Sequence, residues 1–175
     1  MAWFARKTHS PAVVVELASA VAMSYQEFLL EKLNGNLPPS LLAHLWAIAG
    51  FFTVTVMLKT KKLERDSALE VRKQLGEIFV IKSMGGFGNM DSQAIEDAKQ
   101  YFDDCWDSCA PYFEYVLSDG AWVGLRKWSK EREAVQELVD DDRVWNYGLI
   151  AFLGCTNDAI ASFAKPGKSI RGTFD

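Results

Sequence analysis

The chain has 175 residues, of which 49% are hydrophobic and 24% are charged, with a net charge of −4 and a mean hydropathy of −0.03. These values are typical of a globular protein with a full core, and they exclude an intrinsically disordered chain. The acidic balance provides no general basic field for phosphate backbones, so nucleic acid is not an expected partner.

The length suits one domain, and no repeat or linker divides the chain. We therefore expect a single helical domain over residues 1–175, with an N-terminal arm (1–9) and a C-terminal tail (166–175). The three cysteines are too few for a disulfide framework in a chain that can build its own core, so we expect reduced thiols and a cytoplasmic location. The apolar N-terminal stretch resembles a signal peptide superficially, but Glu16 lies inside it.

Ser10-Pro11 marks the start of the first predicted helix. The serine hydroxyl can accept a first-turn N–H, and proline at the first helical position gives up a donor that has no partner there. The helix is predicted to extend to about Lys32, because Asn34-Gly35-Asn36 is a typical helix end. Helical spacing predicts a core-facing stripe of Val13, Leu17, Ala20, Ser24, Phe28 and Leu29.

The second predicted helix, Leu41–Leu58, is the most apolar part of the chain and follows Pro38-Pro39-Ser40. It lies in a stretch, residues 33–58, that contains no Asp, Glu, Lys or Arg. Within it Phe51–Val56 is rich in residues that favour strands, but no partner strand is evident, so we predict a helix.

A helix that is apolar all round is either the centre of a helical bundle or a membrane span. His44, Gly50 and the two threonines of the segment make insertion into a bilayer less favourable, so we predict a central core helix. A membrane-associated protein that uses Leu41–Leu58, with the following lysines as a cytoplasmic flank, is the alternative.

A charged helix is predicted from about Lys62 to Ser83, and a glycine-rich segment follows it. That segment is either a flexible connector or a loop that cradles an anion, and the connector is favoured because no lysine or preceding strand completes a phosphate loop. The helix is predicted to turn Ser67, Val71, Leu75 and Ile78 inward and Glu64, Arg65, Glu70, Arg72, Lys73 and Glu77 outward.

The fourth predicted helix runs from Asp91 to about Leu117, and Pro111 is expected to kink or break it. Further helices are predicted over residues 129–139 and 143–164. The chain is thus predicted to be all-α, a bundle of about six helices around Leu41–Leu58. The apolar stripe of the fourth helix contains Ile95, Ala98, Phe102, Cys105, Cys109, Phe113 and Val116.

The segment Asp103-Asp104-Cys105-Trp106-Asp107 has the form D-D-x-x-D, which resembles the aspartate-rich motif of the all-helical prenyl-diphosphate and terpene synthases. In that family the carboxylates hold magnesium ions that bridge to a diphosphate. The resemblance covers five residues and implies a Mg²⁺-dependent enzyme or binding protein for a phosphorylated or diphosphate ligand, with Asp103, Asp104 and Asp107 as metal ligands.

Helical periodicity places these three aspartates opposite the apolar stripe, so they belong to a charged outer face. Such a face is either solvated or bound to a basic partner, and a cation would relieve the repulsion between its like charges. Because we find no complete nucleophile triad, metal set or phosphate loop, we predict a non-enzymatic inhibitor, immunity or adaptor protein without a cofactor. Its predicted partner-binding residues are Glu96, Asp97, Asp103, Asp104, Asp107 and Glu114.

Cys105 and Cys109 lie four residues apart, and packing could bring Cys155 and His44 to them as a zinc site. Their position on the apolar stripe instead favours inert packing in the core. For His44 we expect a core position or an interhelical hydrogen bond.

Overall fold

The computed structural model describes residues 8–32, 35, 37, 39–83 and 91–112. This part of the chain is 85% helical and contains no strand, which confirms the all-α class. The helices are α1 (Pro11–Lys32), α2 (Pro39–Lys59), α3 (Arg65–Ser83) and α4 (Ser92–Asp107), followed by a 3₁₀ turn at Ala110–Tyr112. The predicted helices 129–139 and 143–164, the glycine-rich segment, Glu114, Cys155 and the tail lie outside the described residues.

Helix α2 lies at the centre of the described bundle and contacts α1, α3 and α4. Its strand-favouring part, Phe51–Val56, is helical. Thr53 and Thr55 each donate a hydroxyl hydrogen bond of 2.7 Å to the backbone carbonyl one turn earlier, so their polar groups are satisfied inside the helix. The apolar side chains around them are covered by the neighbouring helices, and this packing overrides the local preference for a strand.

Two helices, Pro11–Glu31 and Leu41–Lys59, are long and apolar enough to cross a membrane. In the folded protein 47% of the first window and 78% of the second are buried against other residues. Length and composition alone therefore support a membrane span only weakly, since a core helix passes the same test.

Gly50 allows both α3 and α4 to approach α2 closely. A methyl group at Gly50 would lie 2.5 Å from Cζ3 of Trp106 on α4 and 2.7 Å from Cδ1 of Leu75 on α3. The Trp106 ring also packs edge to face against Phe51, with 5.7 Å between ring centroids. The glycine thus determines how near the three helices come to one another.

The buried face of α1 differs from the predicted stripe. Leu17 and Leu29 are fully buried, as predicted, but Val13, Ala20 and Ser24 are only half-buried. Because α1 is rich in valine and alanine, several of its faces are apolar, and tertiary packing selects among them. The other buried residues of α1 are Val14, Val15, Ala18, Val21, Ala22 and Tyr25.

Helix α3 begins at Arg65, three residues later than predicted, because Lys62 belongs to the turn that follows α2. Val71 and Leu75 are buried as predicted, while Ser67 and Ile78 are half-buried. Phe79 and Val80 are buried as well, although they are not on the predicted inward face.

Helix α4 is capped at its start by Asp91, whose carboxylate accepts the backbone N–H of Gln93 at 3.2 Å. It ends at Asp107 rather than near Leu117 because Pro111 has no N–H to donate to the Asp107 carbonyl. Cys109 therefore lies beyond the helix, although it is fully buried, and its thiol contacts the Cys105 carbonyl at 3.3 Å.

Candidate binding surface on helices α3 and α4

The described carboxylates of α4 fall into two groups. Glu96, Asp97 and Asp104 are exposed, whereas Asp103 is half-buried and, with Asp107, lies at the edge of α4 that meets α3. At about 100° per residue, Asp97 and Asp104 project from nearly the same line on α4, while Asp103 is rotated from that line toward α3. The acidic residues predicted to form one uniform face thus have two different environments.

Arg72 of α3 binds the two aspartates at the α3 edge. Its Nε donates to Asp103 Oδ1 at 2.5 Å, and its two Nη atoms donate to the Asp107 carboxylate at 2.6 Å and 3.0 Å. Nη2 also donates to the backbone carbonyl of Asp103 at 3.2 Å. The guanidinium carbon lies 5.9 Å from the centroid of the Trp106 ring, within cation–π range.

The electrostatics of Arg72 follow from this geometry. Its side chain is only 23% exposed, and burial by itself would lower its pKa. The hydrogen bonds to Asp107 and Asp103 and the charges of these carboxylates outweigh burial and raise the pKa of Arg72, so the guanidinium stays charged. The prediction that Arg72 faces outward is wrong, because its long side chain reaches across the α3–α4 interface.

The Arg72 contacts also bear on the resemblance to the synthase motif. Asp103 and Asp107, two of the three carboxylates that would hold Mg²⁺, direct oxygens at the guanidinium. A metal ion there would have to displace Arg72, and the described side chains include no group of three or more His, Cys, Asp or Glu arranged to hold one. The described residues therefore do not fit the metal site that the motif implies.

Two of the outer carboxylates accept hydrogen bonds from neutral side chains. Asp97 accepts a hydrogen bond of 2.8 Å from Gln93, and Asp104 accepts one of 2.8 Å from Gln100. Both donors are neutral amides one turn earlier on the same helix, so they orient the carboxylates without neutralising them. Among the described residues, no cation forms an ion pair with Glu96, Asp97 or Asp104.

A groove of about 290 Å³ runs between α3 and α4 beside these carboxylates. Buried Phe102 and Gly76 contribute to its apolar floor, where a methyl group at Gly76 would lie 3.2 Å from the Phe102 ring. Leu69, at the α3 edge of the groove, is 73% exposed, far more than other described leucines, and sequence patterning did not single it out. The remaining lining residues are Arg72, Lys73, Glu77, Glu96, Lys99 and Asp103.

His44 and Cys105, which only the disfavoured zinc alternative would bring together, are close in the structure. Nε2 of His44 on α2 lies 3.9 Å from Sγ of Cys105 on α4, and the His44 ring meets Tyr101 edge to face at 6.0 Å. Burial, and next the neighbouring Cys105, raise the pKa of the Tyr101 hydroxyl. The contact thus joins α2 to α4 through a weak hydrogen bond that involves sulfur, which agrees with the interhelical role expected for His44.

No protein-family model, curated protein or solved structure matches this chain. Function must then be inferred from the site itself. Exposed carboxylates that pair with no described cation, together with an exposed leucine, can recognise a complementary surface that is basic and partly apolar.

Proposed function

We propose that this protein binds another protein through an acidic surface. This surface is formed by the carboxylates Glu96, Asp97 and Asp104 together with the exposed side chain of Leu69. The proposal rests on one observation, namely that only some of the α4 carboxylates form ion pairs. Arg72 pairs with Asp103 and Asp107, whereas no described cation pairs with the other three. A partner with lysine or arginine side chains would relieve the remaining repulsion in the same way.

The exposed leucine supports a protein partner rather than a small ion. Protein interfaces combine an apolar side chain that becomes fully covered with a surrounding rim of polar and charged groups. Leu69 is 73% exposed and lines the groove together with Glu96, so this apolar side chain lies next to the charged rim. The proposed partner therefore presents an apolar pocket for Leu69 and a basic rim.

The wider proposal is a small non-enzymatic protein of the inhibitor, immunity or adaptor type. It includes one domain over residues 1–175, about six helices, a cytoplasmic location and participation of Glu114, which lies outside the described residues. The Mg²⁺-dependent alternative has less support, because two of its three carboxylates bind Arg72.

The test compares the wild type with a variant that carries Asp97→Asn and Asp104→Asn. Both side chains are exposed, and asparagine still accepts a hydrogen bond from the neighbouring glutamine, so the fold should be unchanged. A matched control carries Glu16→Gln and Glu27→Gln, which remove two exposed charges from α1.

Partners are first captured from lysate at low salt, and the affinity of each purified partner is then measured for every variant. We expect the double aspartate variant to bind about five- to tenfold more weakly, with a reduced dependence on salt, and the control to bind like the wild type. Leu69→Ala should also weaken binding while leaving the unfolding temperature unchanged. If the double aspartate variant binds its partner as tightly as the wild type does, the acidic surface is not the interface.

A further inference from the structure

The turn between α2 and α3 adopts an unusual backbone conformation at a lysine. Lys61 has a φ of 56°, the only positive φ of a non-glycine residue in the described part of the chain. The N–H of Lys62 donates to the Met57 carbonyl at 2.8 Å and the N–H of Lys61 to the Leu58 carbonyl at 3.1 Å, which is the Schellman pattern of a helix end. Glycine is the usual residue at this position because a side chain is disfavoured there.

A pocket of about 590 Å³ lies beside this turn. Half-buried Leu58 and buried Leu63 supply apolar surface, and Thr8 and Thr55 also line the pocket. Its cationic rim consists of Lys59, Lys61 and Arg65, and Glu64 is the one carboxylate among its described lining residues. The pocket thus combines positive charge and an apolar wall.

Three cations of the turn have no ion-pair partner among the described residues. Of these, Lys61 and Arg65 are exposed and Lys62 is half-buried. The adjoining N-terminal segment is tied to the turn, because the His9 backbone N–H donates to the Lys62 carbonyl at 2.7 Å. The described lining of the pocket thus contains three basic side chains and one acidic side chain, in a chain whose net charge is −4.

The cations have a simpler explanation, namely that they stabilise the C-terminus of α2 through its dipole. That explanation suits Lys59, which lies in the last turn. It does not explain why a lysine rather than a glycine occupies the position with a positive φ. Backbone strain at a charged residue beside a pocket is typical of a functional position.

We propose that this pocket binds a phosphate-bearing ligand, with Lys61 and Arg65 contacting the phosphate and the two leucines contacting an apolar group attached to it. The phosphate has two possible sources, the headgroup of an anionic lipid and a soluble phosphate ester. The pocket shares no residue with the acidic surface, so the two proposals stand or fall separately.

The experiment uses the full chain and two probes. Flotation with phosphatidylcholine vesicles, with and without phosphatidic acid, tests the lipid headgroup. Phenyl phosphate, followed through the NMR signals of the two histidines, tests a soluble ester. A phosphate in the pocket, which Thr8 also lines, should raise the pKa of neighbouring His9, which is now lowered by burial and next by the Lys62 charge, and His9→Gln assigns the signal.

The test variant carries Lys61→Gln and Arg65→Gln, and the matched control carries Lys73→Gln and Lys82→Gln, which remove two exposed charges of the same sign from α3. We expect the test variant to bind the responding probe about thirty-fold more weakly, since each cation near a phosphate-bearing surface contributes roughly fivefold. The control should bind like the wild type. A response to vesicles alone or to phenyl phosphate alone supports the site and identifies the source.

Lys61→Gly separates binding from folding. Glycine suits the positive φ, so this variant should unfold at a higher temperature than the wild type while it binds the responding probe more weakly. Three outcomes would overturn the proposal: binding of neither probe by the wild type, equal losses in the test and control variants, or full binding by Lys61→Gly.

Discussion

Gly50→Ala offers the sharpest test of how the helices pack. The added methyl carbon would lie 2.5 Å from Trp106 Cζ3 and 2.7 Å from Leu75 Cδ1, whereas carbon atoms in contact normally lie about 3.5–4.0 Å apart. Both neighbours are buried and belong to different helices, so relief requires a shift of α3 or α4, or a new rotamer of a packed side chain.

Two effects of opposite sign decide the magnitude. Alanine is favoured over glycine in a helix interior by about 0.5–1 kcal/mol, whereas overpacking of a filled core costs about 1–3 kcal/mol. The contact is too short on two sides, which places the cost at the upper end of that range. We therefore expect a net loss of about 2 kcal/mol, equivalent to a fall of about 4–8 °C in the unfolding temperature.

Urea denaturation followed by far-UV circular dichroism measures this loss. Trp106→Leu removes the ring atoms nearest to Gly50 but leaves Leu75 Cδ1 at 2.7 Å, so in that background Gly50→Ala should cost less than in the wild type, and the double-mutant cycle should show a coupling of about 1 kcal/mol. Gly76→Ala is the control. A methyl carbon at Gly76 would lie 3.2 Å from its nearest neighbour, an atom of the Phe102 ring, so this substitution should change stability little. A stabilising Gly50→Ala in the wild type would refute the close approach of the helices.

Three further predictions concern charge. Arg72→Gln should destabilise the protein by about 1–2 kcal/mol, because it removes partly exposed ion pairs and a contact with an aromatic ring. The loss should be larger at low salt, and thermal unfolding at two salt concentrations measures it; a loss that does not depend on salt would contradict the contribution of the ion pairs. Burial and the Lys62 charge lower the pKa of His9 from 6.5, so the unfolded chain binds more protons than the folded protein, and stability should fall as the pH drops through 6.5. His9→Gln should weaken this dependence. If the profile of unfolding temperature against pH is the same for His9→Gln and the wild type, His9 is not its cause. Burial raises the pKa of Tyr25 well above its ordinary 10.0, so Tyr25 should stay protonated in the folded protein when exposed tyrosines ionise, and stability should fall above pH 10. Ultraviolet absorbance during a pH titration, compared between the wild type and Tyr25→Phe, tests this. The prediction is refuted if the folded wild type and a denatured sample show the same number of tyrosines that titrate near pH 10.

The candidate surface could be predicted only in part. Helical periodicity identified the carboxylates of α4 as a charged face, and Glu96, Asp97 and Asp104 are exposed. Periodicity describes one helix at a time, so it could not show that Arg72, on a different helix, would reach Asp103. The exposure of Leu69 was not predicted for the same reason. The sequence of a charged helix does not show which of its faces the neighbouring helices will leave uncovered.

The sequence by itself determined the helices that have local signals. Pro11 and the Asn34-Gly35-Asn36 segment predict α1 with the observed bounds, and Pro111 stops α4 because a missing N–H acts within one turn. Tertiary structure alone decided what meets across helices. Gly50 beneath Trp106, and His44 against Cys105, join residues that are more than fifty positions apart in the chain. Such contacts depend on helix rotation and spacing, which are set by the packing of all neighbours together rather than by local sequence.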